Sequence, residues 1–114
     1  MSKVVIHLFH DDASSLGTGS HVAERIRQVK DQQGTELEVY VFGPAEKALA
    51  DPAQTKFRDT LVALARAHVP VRTCRSIAED LVQSEAFTRM GFDLEYARDA
   101  FVRYALEGAT VVSF

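Results

Sequence analysis

The chain has 114 residues, 46% of them hydrophobic and 25% charged, with a net charge of -3. This is the size of one domain and an ordinary globular composition, which argues against a disordered chain. The two signs of charge are interspersed without a basic stripe, which argues against a nucleic-acid partner. The longest apolar stretch near the N-terminus covers residues 4–9 and is interrupted by His7. It is far shorter than the ~20 residues of a membrane span and too short for a signal-peptide core. Because a single cysteine cannot form an internal disulfide, we expect a cytoplasmic chain with a free thiol.

Strand and helix patterns alternate from the start of the chain. Residues 3–9 (KVVIHLF) form a β-branched run that predicts a buried strand. The polar, glycine-containing stretch 10–20 predicts a loop. Apolar residues at helical spacing then predict a helix over residues 21–33, with Ser20 as its N-cap and Gly34 at its end.

The middle of the chain repeats this alternation. A second strand is predicted over residues 36–42. Gly43 and Pro44 then open a short helix, since proline suits the first helical position. A longer helix is predicted over residues 56–68, and a third strand over residues 69–73.

The last third of the chain predicts two further helices and a closing strand. Residues 76–79 (SIAE) have the S-x-x-E form of a capping box, so a helix is expected to begin there. Residues 85–92 have no clear period. Asp93 is a candidate cap for a last helix that ends at Gly108, and residues 109–114 predict the closing strand.

This alternation predicts the fold class and the edge at which ligands bind. Strands that alternate with helices imply right-handed crossovers, so we expect one α/β domain over residues 1–114. It should be a three-layer α/β/α sandwich with a mostly parallel five-stranded sheet. Ligands of such sheets gather outside the carboxyl ends of the strands. Three segments fall there, at residues 10–20, 43–44 and 74–76.

Cys74 is the sharpest candidate for chemistry. If Ser76 caps the helix, Cys74 lies two residues ahead of it, near free backbone N–H groups and the positive end of the helix dipole. Arg72 and Arg75 flank it, although only Arg72 shares its face of the strand. Positive potential favours the thiolate, which is the nucleophilic form. The alternative is that Cys74 is a small buried hydrophobe at a strand end.

Two glycine-containing loops are candidates for a small anion or ligand, because backbone N–H groups ahead of a helix can hold one. Their residues are Asp11, Gly17, Thr18, Gly19 and Ser20 after the first strand, and Gly43 and Pro44 after the second. The first loop lacks both the lysine of a Walker loop and the full dinucleotide fingerprint, and a flexible capped loop is the alternative.

Metal binding and a cofactor are not expected. His7, His10, Asp11, Asp12 and His21 could be drawn as a metal site, but no compact ligand pair such as H-x-x-x-H is present. A solvated loop with a strand-end histidine is therefore the favoured interpretation of these residues.

Four segments match a known family in their order and spacing. They are KVVIHLF (3–9), VYVFGPAEKAL (39–49), HVPVRTC (68–74) and YALEGATVVSF (104–114). With them the chain resembles the DsrE/DsrF-like family, which includes TusD-like subunits of sulfur-relay complexes and YchN-like domains. The similarity runs over nearly the whole chain. It departs from the family at His68, where a glycine is common.

The resemblance implies a function for Cys74. Sulfur-carrying subunits of this family hold a cysteine after the third strand, the position of Cys74 here. By this resemblance Cys74 accepts a sulfane sulfur as a persulfide and passes it to another protein's thiol, with Arg72, Arg75 and Ser76 supporting the thiolate. It also implies a homo-oligomer, a trimer or hexamer, consistent with the hydrophobic C-terminal strand. Two alternatives stay open: a non-catalytic ligand-binding or assembly module of the same fold, and a redox sensor in which Cys74 is oxidised.

Overall fold

The computed structural model describes residues 2–114, and within them five strands and six α-helices follow one another along the chain. The strands are β1 (Ser2–Leu8), β2 (Thr35–Val41), β3 (Val71–Thr73), β4 (Asp93–Leu94) and β5 (Thr110–Ser113). The helices are α1 (Ala13–Gln33), α2 (Pro44–Leu49), α3 (Thr55–Arg66), α4 (Arg75–Asp80), α5 (Ser84–Arg89) and α6 (Ala97–Glu107). None of these helices is both long and apolar enough to cross a membrane.

The five strands form one parallel sheet in the order β4-β3-β2-β1-β5. From β1 to β4 the chain steps towards one edge, and α6 then carries it back across the sheet to β5, beside β1. Because parallel crossovers are right-handed, this reversal of direction places α6 on the opposite face from α1 and α3. The predicted α/β fold with a five-stranded sheet is confirmed, and every strand pair is parallel.

Alternation along the strands divides the core between the two faces of the sheet. The α1 face is the larger, and it buries Ile6, Leu8, Val39, Val41 and Val71 of the strands against Leu16, Leu61 and Leu64 of the helices. On the α6 face, a smaller cluster contains Val5, Tyr40, Cys74, Ala100 and Tyr104. The candidate cysteine therefore lies on the face that one long helix covers.

The predicted loop over residues 10–20 is wrong, because α1 begins at Ala13. The side chain of Asp12 caps the helix: its carboxylate accepts hydrogen bonds from the Ser15 N–H at 3.0 Å and the Ser15 hydroxyl at 2.8 Å. Ser20 is consequently inside the helix and not its N-cap. The predicted end is confirmed, since Gly34 has a φ of 66° in the left-handed region that glycine tolerates best.

Further differences lie between residues 84 and 97. Helix α5 and strand β4 have six and two residues, too few for a hydrophobic period to show in the sequence. Asp93 belongs to β4 and does not cap the last helix, whose N-cap is Tyr96. Gly108 ends that helix in the left-handed conformation, as predicted.

Candidate functional site

Cys74 links the end of β3 to the start of α4 at the carboxyl edge of the sheet. Its N–H donates to the Val41 carbonyl at 3.3 Å, and its carbonyl accepts the Ala78 N–H at 3.0 Å, the first bond of the helix. Cys74 is thus itself the N-cap, and the predicted start at Ser76 is wrong. Ser76 is an exposed residue in the first turn of α4. The thiol-bearing residue is only 4% exposed.

Tyr40 on the neighbouring strand β2 is one of two tyrosines that share the buried cluster with Cys74. Its hydroxyl donates to the Glu95 carbonyl at 2.8 Å. Burial raises the pKa of Tyr40 strongly, and the nearby Cys74 thiol and Glu46 carboxyl add to this rise. The hydroxyl therefore keeps its proton at any working pH and is close enough to feel the charge on either group.

Glu46 is a second acidic group at this edge, and sequence patterns do not single it out. It lies on α2, is 0% exposed, and its Oε1 accepts the Cys74 N–H at 3.1 Å. Burial raises the pKa of Glu46 to about 8, although the bond from Cys74 partly opposes the rise. Within residues 2–114 the buried Oε2 has no hydrogen-bond partner. At neutral pH this carboxyl group is therefore mostly neutral.

The Gly43-Pro44 turn determines where Glu46 lies. Gly43 has a φ of 66°, and a side chain at this position would collide with the ring of Phe9. Pro44 occupies the first turn of α2, as predicted. The turn therefore brings α2 back over the ends of β2 and β3, and its visible role is to position Glu46.

Both arginines beside Cys74 are engaged with other groups. Arg72 donates to Glu38 at 3.1 Å and to Asp93 at 3.2 Å. Arg75 donates to the Leu94 carbonyl at 3.1 Å, and its guanidinium lies 5.9 Å from the centre of a tyrosine ring. Their support of a thiolate stays a prediction.

Glu38 is the centre of an ion-pair network on the α6 face, nearer the amino ends of the strands. It is 1% exposed and pairs with Lys3 at 2.9 Å, Arg72 at 3.1 Å and Arg103 at 2.8 Å. It also accepts a hydrogen bond from the Tyr104 hydroxyl. Burial alone would raise the pKa of Glu38, but hydrogen bonds from Arg103, Tyr104 and Lys3 outweigh it and lower the pKa to about 2. This network fixes α6 against the sheet.

The predicted anion loop after β1 is not a loop. Gly17, Thr18, Gly19 and Ser20 lie within α1, where helical hydrogen bonds use their backbone N–H groups, and Asp11 is exposed ahead of the helix. The Ser20 hydroxyl is likewise used, since it donates to a carbonyl one turn back at 2.7 Å. Gly19 has a packing role: a side chain here would collide with Leu8 and meet Phe114.

The histidines are not gathered into a metal site. His7 Nδ1 lies 3.0 Å from the Ser113 hydroxyl, and its ring packs edge-on against Phe101 with the ring centres 5.0 Å apart. Burial lowers the pKa of His7, which favours its neutral form. Among residues 2–114, no three His, Cys, Asp or Glu side chains are grouped so that they could hold a metal ion.

Comparison with known proteins identifies the fold. No family model and no curated protein sequence matches the chain. The structure is similar to a conserved protein of unknown function, BT1422 from Bacteroides thetaiotaomicron, with a TM-score of 0.79, 15% identity, and coverage of 99% of this chain and 95% of that one. It is also similar to the YchN protein from E. coli, with a TM-score of 0.74, 17% identity, and all of both chains covered. Identities this low establish the fold alone. The chain therefore has the fold of the YchN protein, which is the fold that the resemblance inferred from its sequence predicts.

Proposed function

We propose that this domain is a sulfur carrier that holds sulfane sulfur as a persulfide on Cys74. The observation that carries the proposal is the setting of the thiol. Cys74 is the one cysteine of the chain. It lies at the carboxyl edge of a parallel sheet, where ligands of such folds gather. Two protonated groups, the Tyr40 hydroxyl and the Glu46 carboxyl, lie beside it.

The proposed reaction is two thiol exchanges without net oxidation. In the first, the Cys74 thiolate attacks the outer sulfur of a donor persulfide, R–S–SH. The donor S–S bond breaks, R–S⁻ leaves and takes up a proton, and Cys74 holds the sulfur as S–SH. In the second, an acceptor thiolate attacks the outer sulfur of Cys74, and the Cys74 thiolate is the leaving group. Rates depend on the pKa values of the attacking and leaving thiols.

Access to the sulfur requires side-chain movement. The cluster that contains Cys74 is covered by half-buried apolar side chains, which are Phe42, Ile77, Ala97, Phe101 and Ala109. A donor sulfur reaches Cys74 only when part of this cover moves aside. Once it closes again, the same cover shields the persulfide from solvent. The burial of Cys74 is also the specific observation in favour of the alternative, a module in which this residue has only a packing role.

Intact-mass measurement after incubation with a sulfane-sulfur donor tests the proposal. We expect one added sulfur atom on the wild-type chain, its loss on addition of an acceptor thiol, and no addition to C74S. A folded chain that gains no sulfur would refute the carrier function and favour the packing role. Formation of a disulfide-linked dimer would instead favour a redox sensor. Failure of an alkylating reagent to modify Cys74 in the folded chain would count against both reactive functions.

We also propose that the chain forms a homo-oligomer, a trimer or hexamer, through α6 and the outer edge of β5. Large apolar side chains are exposed on this side, with Leu106 84% and Val102 55% exposed on adjacent turns of α6. Val111 and Val112 are exposed on β5, which pairs only with β1. An unpaired edge beside exposed apolar residues is typical of an interaction surface.

A further inference from the structure

We propose that Glu46 is a positioning residue for Cys74: its carboxyl group holds the main chain of Cys74, and its protonation controls how readily the thiol ionises. The inference rests on the proposed function, because it concerns the thiol that would carry the sulfur. It adds a group that belongs to no predicted site.

The geometry ties the two residues together directly. Glu46 Oε1 accepts the Cys74 N–H at 3.1 Å, so the carboxyl group is hydrogen-bonded to the residue that bears the thiol. Its Oε2 is buried at the same edge without a hydrogen-bond partner among residues 2–114. A carboxylate there would have a single hydrogen bond in an apolar interior, which is costly. The neutral acid avoids that cost.

The charged side chains on the elements around Glu46 are bonded to other groups or exposed, so none of them neutralises a carboxylate at Glu46. Arg58 on α3 donates to main-chain carbonyls at and beyond the end of α2. Arg75 on α4 donates to a carbonyl near β4, and Lys47, the next residue of α2, is exposed. The Glu95 carboxylate is held by Arg103 at 2.8 Å. Within the described residues, no cation is bonded to Glu46.

Cys74 and Tyr40 are ionisable residues beside Glu46: Cys74 donates its N–H to the carboxyl group, and the charge of Glu46 acts on Tyr40. Because Tyr40 keeps its proton, the charge that varies with pH beside the Cys74 thiol is that of Glu46. The pKa of Glu46, about 8, is close to the ordinary thiol value of about 8.5. Groups that interact so closely lose their protons in two macroscopic steps that belong to the pair. Whichever group ionises first opposes the second.

This coupling has a measurable consequence. While Glu46 is neutral, the Cys74 thiolate is the single negative charge at the site. When Glu46 is ionised, thiolate formation places a second buried negative charge beside the first. A like charge at this range displaces a pKa by about one to two pH units. The structure thus assigns to Glu46 the control of the pH range over which the thiol reacts.

The test is the rate at which a neutral reagent alkylates Cys74, measured from about pH 6 to about pH 10. This range spans the pKa of Glu46 and the ordinary value of a thiol. We expect two steps in the wild-type profile and one step in E46Q, which accepts the same N–H bond but cannot ionise. At about pH 9, E46Q should react about twofold to threefold faster than wild type, and the two rates should converge at higher pH as both thiols become fully ionised. E79Q, which removes an exposed carboxylate of α4, should follow the wild-type profile. Identical profiles for wild type and E46Q would overturn the proposal.

Carbon-13 NMR of glutamate carboxyl groups provides a second measurement that needs no variant of Glu46. The Glu46 resonance should titrate in two steps in the wild-type chain and in one step in C74A. An identical titration in both chains would overturn the coupling. Neither experiment involves a sulfur donor, so a chain that forms no persulfide can still show the coupling. Conversely, a chain that forms the persulfide but shows identical profiles would reject the role of Glu46 alone.

Discussion

Replacing Glu38 with glutamine should destabilise the domain by about 3 kcal/mol at neutral pH. The carboxylate is nearly fully buried among Lys3, Arg72 and Arg103, and its pKa is lowered from 4.5 to about 2. A difference of two and a half pH units corresponds to about 3 kcal/mol, at about 1.4 kcal/mol per unit. Glutamine removes the charge and leaves three cations facing an amide. Their partial exposure and their other carboxylate partners keep the loss from being larger.

The pH dependence distinguishes this charge effect from a packing defect. Since the pKa of Glu38 is lower in the folded chain than in the unfolded chain, its contribution is complete above pH 4.5 and is lost as the pH falls towards 2. In urea unfolding, the difference in the free energy of unfolding between wild type and E38Q should therefore be present at pH 7 and become smaller below pH 4.5. E36Q, an exposed position two residues earlier on β2, should match wild type throughout. A difference in the free energy of unfolding under about 1 kcal/mol at pH 7, or a difference of the same size at pH 3, would refute the charge effect of Glu38.

Three further changes test other features of the structure. The free energy of unfolding of E46Q, measured with urea, should rise relative to that of wild type by a few kcal/mol between pH 4.5 and 8. The reason is that the raised pKa of Glu46 makes its ionisation costly in the folded wild-type chain. Val82→Gly should raise the free energy of unfolding by about 1 kcal/mol, measured as a higher Tm, since this exposed β-branched residue has a φ of 56°. Val102→Glu combined with Leu106→Glu should shift sedimentation towards the monomer, whereas Val29→Glu, on the exposed side of α1, should not. An unchanged sedimentation profile in the double variant would place the interface elsewhere.

The strand pattern was predictable because it depends on local signals. In each of β1 and β2, four of the seven residues are apolar and several of these are β-branched, as expected for strands of a buried sheet. The ends of α1 and α6 coincide with Gly34 and Gly108, both with positive φ. The start of α1 was not predictable in the same way, because its first two turns contain serines and two glycines that disfavour a helix. The Asp12 cap and the packing of Gly19 on β1 outweigh those propensities.

The position of Cys74 at the carboxyl edge of the sheet was predictable from the sequence, but its surroundings were not. Parallel topology brings every strand end to one edge, so the position of Cys74 follows from the order of elements. Its burial depends largely on side chains of β2 and α6 that are distant in sequence. Glu46 was missed because a glutamate in a short helix ordinarily faces solvent. One signal was present: Ala45, Ala48 and Leu49 surround it with apolar neighbours, and all three are buried.

Glu38 and Glu46 show how context decides the behaviour of one residue type. They lie eight positions apart, before and after the end of the same strand, and both are buried. Three cations and a tyrosine hydroxyl hold Glu38 as a carboxylate, whereas one main-chain N–H is all that Glu46 accepts. Their contributions to stability therefore have opposite slopes: that of Glu38 grows up to about pH 4.5, and that of Glu46 declines from there to about pH 8. At neutral pH the domain is already losing stability to Glu46. A solvated or apolar residue at position 46 would avoid that loss of stability. A role of the buried Glu46 carboxyl in the chemistry of the Cys74 thiol compensates for it.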